Sequence, residues 1–256
     1  MPTALESLSR SSTEAPPLVK LLILITGSVA AVKTGLLLDQ LAGEHCSIRI
    51  ATTKSALHFL HRAEPSKTGI PFQSILTDEQ EWATWQRMND AIVHIELRRW
   101  ADLVVIVPLD ANTLAKLANG LCDNLVSSVM RAWEVQRKPV ILCPSMNTAM
   151  WMHPITARHL AELRGWYAVE GKGKGKEEGE DPSTAGEGAP PVSPLPKTLA
   201  EAMFQVVNPV SKRLACGDIG IGGMAPPEEI AAVITQTMAL IREKKLSEMA
   251  ASELTN

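Results

Sequence analysis

The chain has 256 residues, 45% of them hydrophobic, enough for one large domain or two small ones with a sizeable core. Its 25 basic and 28 acidic residues leave a formal net charge of −3, which removes the electrostatic case for nucleic-acid binding. Four cysteines (Cys46, Cys122, Cys143, Cys216) are widely spaced without a CxxC pair; this fits neither a disulfide framework nor a metal site, and reduced thiols in a cytoplasmic protein are the simplest reading.

Residues 1–19 are rich in Ser, Pro and Glu, lack the apolar core of a signal peptide, and are expected to form a disordered tail ahead of a domain over 20–245. The apolar stretch Leu21–Val32 is too short to span a bilayer and contains Gly27-Ser28, so no membrane partner is expected. Leu21–Thr26, apolar or β-branched without alternation, predicts a strand covered on both faces. The pattern then turns helical from Val29 to Leu41, with Gly43 as a stop. Cys46–Thr52 predicts a second strand and Lys54–His61 a second helix. An irregular stretch with Pro65, Gly69 and Pro71 leads into the polar, Trp-bearing segment Asp78–Asp90. Leu103–Val107 is a buried strand ended by Pro108, and Ala111–Ala118 and Asn124–Trp133 are helices parted by Gly120. Val140–Cys143 is a strand ended by Pro144, Pro154–Arg164 is helical, and Trp166–Val169 reads as a short strand.

Composition changes at Gly171, and residues to about 197 carry almost no apolar content, which predicts a disordered insertion acting as a solvated tether. Order is expected again before Phe204. A Gly-rich flap at about 209–225 reads as a flexible lid rather than helix or strand, and a final helix runs from Pro227 to about Lys244, with a tail over 246–256. Strands alternating with helices predict an α/β fold: a doubly wound, mostly parallel sheet in a Rossmann/flavodoxin-like three-layer sandwich, as a single domain.

In such a sheet ligands bind beyond the carboxyl ends of the strands, and four segments fall there. Thr26-Gly-Ser-Val-Ala30 is a small-residue turn opening a helix, suited to a phosphate or to close packing alike. Thr52-Thr-Lys-Ser55 offers three hydroxyls and an amine for phosphate or polyol, and serves equally as a helix cap. In Pro108-Leu-Asp-Ala-Asn-Thr113, Asp110 or Asn112 reads first as a cap for the next helix. In Pro144-Ser-Met-Asn-Thr-Ala-Met-Trp151, Asn147 is an amide donor and acceptor between the soft walls of Met146, Met150 and Trp151. Off this series, His94 precedes an Arg pair and is either structural or a proton-transfer group. Lys212-Arg-Leu-Ala-Cys216 presents a thiol beside two cations, either activated or inert.

Taken together, Gly27-Ser-Val-Ala-Ala31, His94-Ile-Glu-Leu-Arg-Arg-Trp-Ala-Asp102, Ala111-Asn-Thr113, the PxMNxxMW run ending at Trp151 and the ACGDxGxGxMA run from Ala215 to Ala225 resemble the homo-oligomeric flavin-containing cysteine decarboxylases, over roughly 20–168 and 206–240. Within that family the chain is most similar to the branch acting on phosphopantothenoylcysteine and to the related halotolerance proteins. The resemblance implies FMN, no metal, and a homotrimer with active sites between subunits. Gly27, Ser28, Val29 and Ala30, with Thr53, Lys54 and Ser55, would hold the FMN phosphate. Asp110, Ala111, Asn112, Thr113 and Ser145 would line the rest of the flavin. His94 would be the active-site histidine and Cys216 the proton donor; Asn147 and Met150 would bind substrate, and Arg213, Ala215 and Met224 would belong to the covering flap.

The implied reaction converts 4′-phosphopantothenoylcysteine to 4′-phosphopantetheine, a step of coenzyme A biosynthesis. The substrate thiolate is oxidised toward a thioaldehyde at the flavin, CO₂ leaves, and the ene-thiolate is reduced with a proton from Cys216. The long insertion and Gly223, where Ala is usual, are the departures from the family pattern. Two other readings follow from relatives: an inhibitory subunit of a type 1 protein phosphatase, alone or in mixed trimers with paralogues, and a peptidyl-cysteine oxidative decarboxylase.

Overall fold

The computed structural model describes residues 15–67, 75–168, 194–213 and 219–253. The expected N-terminal tail therefore falls outside it up to residue 14, and the insertion from 169 to 193; Ala215 and Cys216 also lie outside the described residues.

Five strands, β1 (Val19–Ile25), β2 (Cys46–Thr52), β3 (Leu103–Leu109), β4 (Val140–Pro144) and β5 (Phe204–Val206), form one sheet in the order β2-β1-β3-β4-β5. Every pairing in it is parallel. The helices α1 (Thr34–Gln40), α2 (Lys54–Leu60), α3 (Asp78–Thr84), α4 (Val93–Trp100), α5 (Ala111–Ala118), α6 (Leu125–Arg131), α7 (Thr148–Trp151), α8 (Pro154–Gly165), α9 (Leu199–Ala202) and α10 (Pro227–Glu253) fill the connections. A 3-10 turn over Val29–Lys33 leads into α1.

Both faces of the sheet are covered because its central strands β1, β3 and β4 are apolar on both sides from Leu21, Leu103 and Val140 onward. Leu21, Ile23 and Ile25 of β1 and Val105 of β3 turn to one side, against α1 and α10 through Leu37, Leu38, Ile230 and Ile234. Leu22, Leu24, Val104 and Ile106 turn to the other, against α4, α5, α6 and α8 through Leu97, Leu114, Val129 and Leu163. This is the expected doubly wound three-layer sandwich. Among the described residues, no helix is long and apolar enough to cross a membrane.

Four expectations differ from the structure. The fifth strand is not Trp166–Val169: Trp166 and Tyr167 form a turn after α8, and Phe204–Val206 takes the edge beside β4. The carbonyls of Trp166 and Ala168 accept from the Gln136 side chain instead of a neighbouring strand. The polar stretch from Asp78 contains a helix, α3, opened by a capping box of Thr77 and Gln80. The flap is not free of regular structure: β6 (Val210–Arg213) and β7 (Ile219–Gly223) pair antiparallel on either side of its tip. Finally, α10 continues to Glu253, through the expected start of a tail at 246. Lys245 on its added turns is held by Asp102 at 2.5 Å and by the Leu18 carbonyl at 2.9 Å.

Candidate active site

With strand order 2-1-3-4-5, the chain leaves β1 for β2 and crosses to β3 on the other side, so a crevice opens between the carboxyl ends of β1 and β3. Thr26, fully buried, ties those two ends together. Its hydroxyl donates to the Pro108 carbonyl at 2.8 Å and accepts from the Asp110 N–H at 2.7 Å.

Asp110 is the cap of α5, as its first reading held, and more. One carboxylate oxygen accepts from the Thr113 N–H at 2.6 Å and the other from the Gly27 N–H at 2.9 Å. Gly27 is required by space: a Cβ there would stand 2.4 Å from the Ser55 hydroxyl and 3.1 Å from Asp110. Ser28, extended, caps the 3-10 turn, and its hydroxyl pairs with that of Ser145 at 2.9 Å. Thr53 and Ser55 pair at 3.1 Å. Residues from the carboxyl ends of β1, β2, β3 and β4 thus converge on one crevice floored by hydroxyls and backbone N–H groups. Val29, Lys54 and Asn112 stand exposed at its edge, and Ala30 and Ala111 are half-buried. Such a donor set, with a glycine whose missing Cβ keeps the crevice open, fits a phosphate ester and its polyol tail, and hence FMN.

The wall beyond β4 is Met146 to Trp151. Asn147 caps α7, its side-chain oxygen accepting from the Ala149 N–H at 2.8 Å. Met150 is exposed, and the Thr148 hydroxyl is buried without a partner among the described residues. The flap closes onto this wall. The Met146 N–H donates to the Gly222 carbonyl at 2.9 Å, and Gly222, at φ +135°, has Met146 O where a Cβ would fall, 2.5 Å away. Lys212 runs over Gly223 and donates to the Met224 carbonyl at 2.7 Å, and burial with the neighbouring Lys33 ammonium lowers its pKa. Arg213 is exposed at the end of β6. Met224, just after β7, is 2% exposed and packed in the core with Val207 and Ile230, because the chain enters the sandwich there.

His94, on the first turn of α4, pairs with Glu81, and among the described residues no hydrogen bond or ion pair joins it to a strand-end residue. Its Nδ1 lies 2.6 Å from one Glu81 oxygen, and its backbone N–H donates to the other at 3.2 Å. Sequence reasoning missed Thr26 and Glu81 as site residues. The capping box at Thr77 is the signal that announces α3 and places Glu81 on it; which way that helix faces is not written locally.

A sequence model of the family described as Flavoprotein matches residues 9–177. The phosphopantothenoylcysteine decarboxylase of Oryza sativa subsp. japonica is 39% identical over 216 residues, 84% of this chain and 79% of the relative. A cysteine-to-serine variant of a PPC decarboxylase, solved in complex with pantothenoylaminoethenethiol, superposes with a TM-score of 0.64 at 37% identity, covering 85% of this chain and 97% of that one. The FMN binding protein AtHal3 superposes with a TM-score of 0.61 at 38% identity, over 84% of this chain and 94% of that one.

Proposed function

This chain belongs to the Flavoprotein family, and on that premise we propose that it is an FMN-dependent decarboxylase converting 4′-phosphopantothenoylcysteine to 4′-phosphopantetheine. The observation that carries the reading is the crevice at the β1/β3 switch, where Gly27, Ser28, Ser55, Asp110 and Ser145 meet beside the Asn147 wall. Support comes from relatives named for this activity and from the pantothenoyl-bearing ligand held by one of them.

FMN, when bound, supplies the two-electron acceptor that makes loss of CO₂ from a cysteine derivative feasible and returns the electrons afterwards. The chain's own residues do the rest. The hydroxyls of Ser28, Thr53 and Ser55 hold the phosphate; Asp110, Thr113 and Ser145 fix the crevice floor. Asn147 orients the substrate carboxylate by its amide, with Met150 and the flap residues Arg213 and Ala215 excluding water. His94 moves a proton at Nε2, the ring nitrogen that Glu81 leaves open. Cys216 donates the last proton to carbon, so the product is saturated and the reaction has no net redox change.

Among the described residues no hydrogen bond joins His94 to the crevice, and α3 with the stretch after it exposes Trp82, Trp85, Met88 and Ile92. Both facts support a homotrimer in which one subunit's His94 completes its neighbour's site.

The test is the purified protein itself. It is expected to be yellow, to release FMN on denaturation, and to give 4′-phosphopantetheine by product mass. An ene-thiol product, two hydrogens lighter, would assign it to oxidative decarboxylation instead. A colourless protein that takes up no FMN would overturn the reading.

A further inference from the structure

A histidine that exchanges protons at one ring nitrogen needs the other fixed, because the partner of the second nitrogen sets the tautomer. Glu81 supplies that partner. An ionised carboxylate only accepts, so the 2.6 Å contact makes His94 Nδ1 the donor and leaves Nε2 outward. The second carboxylate oxygen accepts from the His94 backbone N–H at 3.2 Å, so ring and main chain of one residue are gripped together. Glu81 is 11% exposed, which makes the pair costly to break.

The helix that carries Glu81 is itself fastened on three sides. Leu76, just before it, bridges to Ala51, donating to the Ile50 carbonyl at 2.9 Å and accepting from the Thr52 N–H at 2.9 Å. Thr77 closes the capping box. Asp78 accepts from the Leu125 N–H at 2.7 Å, at the first residue of α6. Asp78 and Glu81, three apart, lie on one face of α3, one turned to α6 and the other to α4. This short helix acts as a strut that carries the position of the sheet edge to the imidazole.

We propose that Glu81 is the positioning residue of the reaction, holding His94 in the Nδ1–H form so that Nε2 is the atom that exchanges a proton with substrate. The inference rests on the reading of His94 as the active-site histidine. Glu81→Gln is the informative variant, because it keeps shape and hydrogen-bonding capacity. The fixed His94 backbone N–H claims the amide oxygen, so the amide NH₂ faces Nδ1 and the ring must take its proton on Nε2.

In the FMN-loaded protein, ¹⁵N spectra of His94 should show the proton moved from Nδ1 to Nε2. kcat should fall by ~10²-fold or more while KM, bound flavin and oligomeric state stay as they were. A merely structural Glu81 would leave turnover unaltered in this isosteric variant even as the ring proton moves, and wild-type kcat or an unmoved ring proton overturns the inference. His94→Asn separates the two claims. If it remains active, the reading of His94 falls and this inference with it; if it is inactive while Glu81→Gln turns over normally, only the inference falls.

Discussion

Gly27 shows how much a single missing methyl group can decide. Its absent Cβ is what lets the Ser55 hydroxyl, the Asp110 carboxylate and the β1 turn close on one point. Alanine would drive Ser55 off its 3.1 Å bond to Thr53 and fill the crevice where the phosphate oxygens belong. We expect Gly27→Ala to fold with a melting temperature within a few degrees of wild type while its FMN content, read from flavin absorbance per protein, falls at least ~10-fold; one lost charge-assisted hydrogen bond is enough for that. Glu134 makes a different residue-scale case. Burial pushes its carboxyl up, but the 2.8 Å bond from Arg98 and the charge of Lys138 at 3.4 Å outweigh it and hold the group below the usual carboxylate range. A lowered native value means that the stabilisation is complete above the unfolded value of about 4.3 and is lost as pH falls through the native one. Glu134→Gln should therefore melt lower than wild type at pH 7, by ~0.5–1 kcal/mol for a partly exposed network. The two melting curves should converge once the pH has fallen through the lowered native value.

At the scale of elements, the flap is more regular and α10 longer than the local pattern predicts, for opposite reasons. The flap's glycines signal turns to a local reading, yet Gly220 and Gly222 are there because β7 lies flat on the wall beyond β4. A Cβ on Gly220 would fall 2.6 Å from the Thr148 hydroxyl, and one on Gly222 2.5 Å from the Met146 carbonyl. Gly222→Ala should lift the hairpin from this wall, slowing turnover ~10-fold or more in a steady-state assay while leaving flavin content intact, since a displaced lid no longer shields or orients substrate. The local pattern falls short of the helix end because its apolar repeat, Ile230, Ile234, Met238 and Ile241, stops there. Beyond it, helix-favouring residues carry the backbone on, and the Lys245 pair with Asp102, which also accepts from the Lys20 N–H at 2.8 Å, ties the added turns to the start of β1.

For the whole molecule, the question is what covers α3 and the stretch after it. Trp82 and Met88 are 78% and 79% exposed, a few residues before the proposed active-site histidine. If neighbouring copies close over this stretch, Trp82→Glu should shift the species seen by light scattering from trimer toward monomer, because a charge in an apolar interface is left unpaired. Activity should be lost with assembly while each chain keeps its helical circular dichroism. A trimer persisting at wild-type stability would place the interface elsewhere.

Much of this protein is legible residue by residue. Continuous apolar runs such as Leu21–Ile25 and Leu103–Val107 mark strands buried on both faces, and Asp110 and Asn147 mark helix starts, because strand burial and capping depend on neighbours within a few positions. The motif set from Gly27 to Ala225 likewise marks the family in the sequence itself. Packing decided the rest. Ser28 meets Ser145 across 117 positions and Asp110 reaches Gly27 across 83, while Glu81 grips His94 only because α3 is fastened to both β2 and α6. The edge strand came from Phe204 rather than Trp166, and Met224 packs in the core at the foot of the flap. These outcomes share one physical cause: periodicity and capping are local and repeat along the chain, whereas the partner of a side chain across the sandwich is chosen by which surfaces fit once the layers close.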